Sequence, residues 1–386
     1  MNQKIKSMLR AARLKKHTGD PDPDAWLFSS TDNSHFNYNS RYLFLYCMEH
    51  HPELRIYFVI NDENLRVKLQ KEYGADYFIE TLSEEGIKKA LSCGVWFTSA
   101  GLPVYGFGLN KKRRIINLWH GIPLKKIALM DPNESALQRL YFKKMFSENY
   151  TDLVTTSEEM SEIMQESFAV PAEKMRIWGQ PRCDLLFKNF DRNEYFRIIY
   201  AGNMVPVKKM VLYAPTFRTG KDVQLFPFAD FDREKLDVFL EKNQIMLCIR
   251  THIRENTENL PAESAYVRYL NEDKAEDVMD VLSAFDLLIT DYSSIYIDYM
   301  LLNRPMLFLP YDLEEYRKGH GFNLPYEEVT PGRKPADFKS FLKGLYTELE
   351  EDTMRIEREE VCRRFHQNAY PCCEAICQNV REELKK

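Results

Sequence analysis

Leu287-Leu288-Ile289-Thr290-Asp291-Tyr292-Ser293-Ser294-Ile295-Tyr296-Ile297-Asp298 reads as a buried strand that enters a polar turn and reopens as a helix. Its apolar run shows no polar alternation, as in a parallel strand covered on both faces. Asp291 falls at the strand's carboxyl end. Ser293-Ser294 then open the helix, whose unpaired N–H groups and positive dipole end suit a phosphate. A plain N-cap is the competing reading, but a cap needs one serine. Asp298 lies seven residues after Asp291 and could share a helical face, as a support or a donor-hydroxyl contact.

The same strand-to-helix grammar recurs along the 386 residues. Spacing predicts strands at Ala25–Ser29, Leu54–Ile60, Tyr77–Ile79, Val95–Thr98, Ile115–Trp119, Leu153–Thr156 and Met175–Trp178. Helices are expected at Tyr38–Glu49, Asp62–Tyr73, Ser83–Leu91, Ser135–Phe146 and Ser157–Phe168. Gly179-Gln180-Pro181-Arg182 then punctuates the chain. Beyond it, strands are expected at Met210–Ala214, Ile245–Arg250, Tyr266–Tyr269, Leu287–Thr290 and Met306–Leu309. Helices are expected at Arg233–Lys242, Ala275–Ala284, Ile295–Leu302 and Lys334–Leu349, with a charged helical tail from Glu350 broken near Pro371. Such alternation implies α/β architecture with parallel sheets. Two Rossmann-like domains follow, 1–180 and 181–386. Two such domains facing one another leave a cleft at the carboxyl ends of their strands, where ligands of open α/β sheets bind.

Apolar residues make up 44% and charged residues 29%, which excludes a disordered chain. With 53 basic and 58 acidic residues there is no global positive field, so no nucleic-acid partner is expected. The charge-free stretch Ala90–Asn110 is broken by four glycines and Pro103, and reads as a buried strand plus a loop rather than a membrane span. Met1–Lys16 lacks the apolar core of a signal peptide. It carries six basic residues and no acidic one, with Ile5, Met8, Leu9 and Ala12 on one helical face. Such a helix either lies on an anionic membrane or packs on its own domain. Lys111, Lys112, Arg113, Arg114, Lys125, Lys126, Arg139, Lys143 and Lys144 add a basic density suited to an anionic surface or acceptor. The eight cysteines are expected reduced, and Cys372, Cys373 and Cys377 do not have zinc spacing. Neither a metal nor a cofactor is expected.

Three further segments carry chemistry. In Ile115-Ile116-Asn117-Leu118-Trp119-His120-Gly121-Ile122-Pro123-Leu124-Lys125, a strand delivers His120 at its end, a natural general base for a hydroxyl. Gly121 permits a turn and Pro123 suits the start of a following helix. The bland alternative is a histidine bonded to a neighbouring loop. In Tyr213-Ala214-Pro215-Thr216-Phe217-Arg218, Thr216 and Arg218 could bind an anion. In Cys248-Ile249-Arg250-Thr251-His252, a cation, a hydroxyl and an imidazole end one strand, as a pyrophosphate needs. GxGxxG, GxxxxGK[ST], GxSxG and HExxH are all missing, removing the commonest dinucleotide, P-loop, hydrolase and zinc-protease readings.

These segments resemble the CDP-glycerol glycerophosphotransferase family, the teichoic-acid primases and polymerases. The carrying residues are Leu118 to Lys126 with Asp131, Tyr213 to Arg218, Arg250-Thr251-His252, and Thr290 to Ser294 followed by Asn303-Arg304-Pro305. Tyr311-Asp312 and Thr330-Pro331-Gly332 follow in the expected order. Ile253 stands where the family usually has proline, and Tyr316–Phe322 departs from its usual aromatic-rich form.

The resemblance implies a GT-B fold and transfer of glycerol phosphate, or ribitol phosphate, from a CDP-linked donor with release of CMP. The acceptor would be a lipid-linked glycan or polyol-phosphate chain, in teichoic acid or capsule-type synthesis. The enzyme would act as a peripheral protein at the inner face of the cell membrane. On this resemblance His120 and His252 are the catalytic histidines, His120 as the base. Thr216, Arg218, Arg250, Thr251, His252, Asp291, Ser293, Ser294 and Asp298 serve the donor, and Lys125 and Lys126 lie on the acceptor or membrane side. The alternative is a GT-B nucleotide-sugar glycosyltransferase or epimerase.

Overall fold

The computed structural model describes residues 3–14, 19–189, 191–200, 205–216, 223–250, 262–319 and 321–385. The chain forms two compact units, Met1–Asp184 with His366–Lys386, and Leu185–Phe365.

Unit 1 begins with helix α1 (Gln3–Leu14). Its strands are β1 (Asp22–Ser29), β2 (Arg55–Val59), β3 (Phe78–Ile79), β4 (Cys93–Thr98), β5 (Arg114–Asn117), β6 (Asp152–Thr155) and β7 (Met175–Ile177). All pair in parallel, in the order β3-β2-β1-β4-β5-β6-β7. The crossovers carry α2 (Tyr38–His50), α3 (Glu63–Tyr73), α4 (Glu84–Ser92), α5 (Ala136–Tyr141) and α6 (Glu158–Phe168). Asp62, Ser83 and Ser157 cap α3, α4 and α6 through their side chains. Successive β1 residues serve opposite faces of the sheet: Trp26 and Phe28 enter one core, Ala25 and Leu27 the other.

Unit 2 contains α7 (Arg192–Tyr200), β8 (Lys209–Ala214), α8 (Arg233–Asn243), β9 (Ile245–Ile249), β10 (Val267–Tyr269), β11 (Leu287–Thr290), α9 (Ile295–Tyr299) and β12 (Met306–Phe308). The short helices α10 (Leu313–Gly319) and α11 (Tyr326–Val329) precede α12 (Phe338–Glu351) and α13 (Arg355–Phe365). Its sheet is also parallel, ordered β10-β9-β8-β11-β12. The expected α/β class with two parallel sheets is therefore the observed one.

Several local expectations change. The chain crosses back to unit 1 after Phe365, so the final helix α14 (Cys373–Leu384) does not belong with 181–365. Cys372, Cys373, Ile376, Cys377 and Val380 form an apolar stripe in the core beneath Phe28 and Phe44, and burial of that stripe decides the helix's home. Ala275–Ala284 is two short 3-10 turns rather than a helix. Asp277 accepts from Met279 N and offers the backbone a local alternative. The helix expected from Ser135 to Phe146 turns to a wider π turn at Phe142, and that from Lys334 starts only at Phe338, capped by Asp337. No helix follows Pro123 directly; a 3-10 turn forms at Ala128–Met130.

The N-terminal helix turns a different face inward from the one its pattern suggests. Ala11 and Leu14 are buried, while Leu9 is 61% exposed. Arg10 donates to Leu82 O and Arg13 pairs with Glu84 at the start of α4. The basic density is also thinned by internal pairing. Arg113 is buried against the Trp96 ring and donates to Leu91 O, Arg114 pairs with Asp152 and Glu383, and Arg139 donates to three carbonyls. Among the described residues no helix is long and apolar enough to cross a membrane. The cysteines are free, and all but Cys362 are buried.

Candidate functional site

In unit 1 the carboxyl edge of the sheet carries His120 three residues beyond β5. Leu118 N still pairs with Thr98 O (2.8 Å), and then Trp119 turns to φ +54°. That conformation is uncommon for a bulky residue. Asn117 Oδ1 holds it by accepting from Trp119 N (2.8 Å). The imidazole lies against the Trp119 ring (4.1 Å between centroids) and the Tyr38 ring (5.1 Å). Tyr38 also has a positive φ, +58°. Two such residues flanking one side chain mark a position the surrounding structure over-determines.

His120 Nδ1 lies 3.0 Å from the Ser99 carbonyl oxygen. A carbonyl only accepts, so Nδ1 carries the proton and donates it, leaving Nε2 with its lone pair. Burial pushes the imidazole below its ordinary pKa; the bond to Ser99 works against this, and the Arg182 charge adds to it. A neutral imidazole with a defined tautomer is a competent general base. Behind it, Ser40 and Ser99 share a buried hydroxyl pair at 2.8 Å, and Ser40 N donates to Ser99 Oγ. Lys125 is half-buried and Lys126 exposed on the segment after His120.

In unit 2 the carboxyl ends of β8 and β11 are joined by Asp291. Its Oδ1 accepts from Thr216 N (2.8 Å), Thr216 Oγ1 (2.5 Å) and Tyr292 N (2.6 Å). Tyr326 OH donates to Asp291 O (2.7 Å). Thr216 and Asp291, both expected at the donor, are thus brought together, and both hold the turn itself. Ser293 and Ser294 are half-buried at the start of α9. Ser294 makes no capping bond through its side chain, and Ser293 Oγ accepts only a long one from Ile295 N (3.5 Å). The plain-cap reading therefore fails for Ser294. Asp298 is 1% exposed, a position for a support rather than a surface contact.

Arg250 departs most from its expected role. Its guanidinium donates to Leu270 O, Asn271 O, Ala275 O and Glu276 O, which pins the 270–276 turn. Burial lowers its pKa. Arg218, Thr251 and His252 lie outside the described residues. The sequence reading missed the ring stack of Tyr292, Tyr316, Phe322 and Tyr326 over Asp291, with Tyr292 and Tyr316 centroids 4.0 Å apart. It also missed Asn39 and Arg182 behind His120. The signal for Arg182 was the Gly-Gln-Pro-Arg punctuation, read only as a boundary. Among the described residues no group of three or more His, Cys, Asp or Glu is placed to hold a metal ion.

The family described as CDP-Glycerol:Poly(glycerophosphate) glycerophosphotransferase matches residues 11–370. The teichoic acid poly(glycerol phosphate) polymerase of Bacillus subtilis (strain 168) is 28% identical over 337 residues, 79% of this chain and 41% of that protein. The teichoic acid glycerol-phosphate primase of Bacillus spizizenii is 30% identical over 252 residues, 63% of each protein. The chain thus spans about half the length of the relatives it matches. A structure of the wall teichoic acid polymerase TagF soaked with CDPG aligns over 99% of this chain and 94% of that one, with TM-score 0.74 and 21% identity. That likeness shows the fold, which is GT-B-like as the resemblance implied. With the family matching almost its whole length, the chain belongs to the CDP-glycerol:poly(glycerophosphate) glycerophosphotransferases.

Proposed function

We propose that the chain transfers glycerol phosphate, or another polyol phosphate, from a CDP-linked donor to a hydroxyl of a lipid-linked glycan or polyol-phosphate acceptor, releasing CMP in teichoic-acid-type synthesis. The observation that carries this reading is the His120 imidazole, held by Ser99 with Nε2 left basic. Nε2 takes the proton of the acceptor hydroxyl. The acceptor oxygen bonds to the donor's β-phosphorus as the bond from that phosphorus to the CMP oxygen breaks, and CMP leaves with the electron pair. Such transfer needs chiefly positioning and charge stabilisation. In this reading unit 2 binds the donor, with the Ser293-Ser294 helix start and His252 on its phosphates.

The proposed membrane partner is supported by Leu9 and Phe107, 61% and 63% exposed beside Met8 and Ala12 in unit 1. We place the protein peripherally at the inner face of the cell membrane.

The test is calorimetric binding of CDP-glycerol, CDP-ribitol, CMP and UDP-N-acetylglucosamine to the purified chain. Selective binding of one CDP-polyol fixes the donor. Binding of the UDP-sugar alone overturns the reading in favour of a nucleotide-sugar enzyme.

A further inference from the structure

We infer that Arg182 is a positioning residue for His120, locking the peptide that carries the imidazole to α2 and to the amino end of α14. This rests on His120 being the base. Three consecutive carbonyls around the imidazole are held from one side. Asn39, fully buried on α2, donates through Nδ2 to Leu118 O (3.1 Å) and Trp119 O (2.9 Å). Arg182 donates through Nη1 to His120 O (2.9 Å). The two clamps are themselves joined, because Arg182 N donates to Asn39 Oδ1 (3.2 Å). With those carbonyls held, the Trp119 backbone stays in its left-handed conformation and the ring stays over Ser99.

The segment bearing Arg182 is anchored at both ends. Gly179 N donates to Thr155 O (3.0 Å). Gly179 has φ +92°, and a Cβ there would lie 3.2 Å from Cys372 Cβ, so the chain passes α14 at a distance that favours glycine. Three residues beyond Pro181, Asp184 accepts from Cys372 N (2.8 Å) and Cys373 N (2.9 Å), closing the start of α14. The sequence Gly179-Gln180-Pro181-Arg182-Cys183-Asp184 is therefore a strap tied to β6 through Gly179, to α2 through Arg182 N and by two bonds to the start of α14 through Asp184, and its only cation serves the His120 loop.

The charge of Arg182 has its own consequence. A guanidinium near an imidazole disfavours the imidazolium, in the same direction as burial. The Tyr38 ring of α2, the Trp119 indole and the Ser99 carbonyl also lie against the imidazole.

The experiment follows CMP release from CDP-glycerol with a lipid-linked glycerol-phosphate acceptor across pH, for the whole chain and for Arg182→Met, Arg182→Lys and His120→Ala. Arg182→Met is expected to lower kcat by about tenfold or more, leave KM for CDP-glycerol within about twofold, and move the acid limb of kcat/KM to higher pH. Arg182→Lys keeps the charge, so the limb stays while kcat still falls. A purely structural arginine would lower the melting temperature without moving the limb. Near-wild-type kcat and an unmoved limb in Arg182→Met, with His120→Ala inactive, overturn the inference alone. If Arg182→Met does not fold, unchanged kcat in Arg182→Lys overturns it. Full activity in His120→Ala instead removes the base reading and the inference with it.

Discussion

Asp291 Oδ1 accepts from both the backbone N–H (2.8 Å) and the hydroxyl (2.5 Å) of Thr216, joining the ends of β8 and β11 through one carboxylate oxygen. The same oxygen takes Tyr292 N, and Asp291 is 2% exposed. Replacing it by alanine strands two backbone N–H groups. Asp291→Ala should destabilise unit 2 by about 2–4 kcal/mol, since each unsatisfied buried donor costs roughly 1–3 kcal/mol. Denaturant unfolding followed through unit 2 measures this; a loss below about 0.5 kcal/mol would show that the turn holds without it.

On the proposed function, with His120 as the base, the acid limb of activity should follow the His120 imidazole. Its pKa lies below the ordinary value of about 6.5, chiefly through burial and further through Arg182. Activity should rise with pH through that lowered pKa and be flat above about 6.5. Stability follows the same sign. The unfolded chain binds the proton more readily, so the contribution of neutral His120 is complete above about 6.5 and lost as pH falls from there through the lowered folded pKa. His120→Ala should lose at least about 10²-fold in turnover and flatten the acid limb, read from initial rates across pH.

Arg250 organises a turn. Four carbonyls between Leu270 and Glu276 share its guanidinium. Arg250→Lys keeps the charge but cannot reproduce the planar fork. Hydrogen exchange in 270–276 should rise in this variant, with weaker CMP binding. Unaltered exchange would mean that the turn holds itself.

The exposed pair Leu9 and Phe107 tests the membrane proposal. Leu9→Asp with Phe107→Asp should reduce co-sedimentation with phosphatidylglycerol vesicles by about tenfold, through lost apolar insertion and added repulsion. The melting temperature should be unchanged, because both side chains face solvent. Equal sedimentation of variant and parent excludes this patch from membrane contact.

The strands were the most legible part of the molecule. β4 and β11 are short, mainly apolar runs buried on both faces, and their length and the turn residues that follow them favour a parallel strand over a buried helix segment. His120 was legible because it stands just past the apolar Ile115-Ile116 of a strand, three residues beyond the end of β5. Arg250 was legible as a strand-end cation but not as the partner of four carbonyls, since those belong to a turn some twenty residues further along the chain. Ala275–Ala284 had helical spacing, yet local hydrogen bonding from Asp277 prevailed over it.

Hydrophobic period and strand-to-helix order, both local properties of the chain, determined the α/β class, the two parallel sheets and the place of His120 at a strand's carboxyl end. The tertiary structure decided what each polar group at those ends does. It turned Ala11 and Leu14 inward on α1, returned α14 to the first unit, and set Asn39, Ser99 and Arg182 around His120. Those partners lie 81, 21 and 62 residues from the histidine in sequence. A buried polar group must find its hydrogen bond wherever the fold brings a donor and an acceptor within about 3 Å of each other, and no local pattern records that distance.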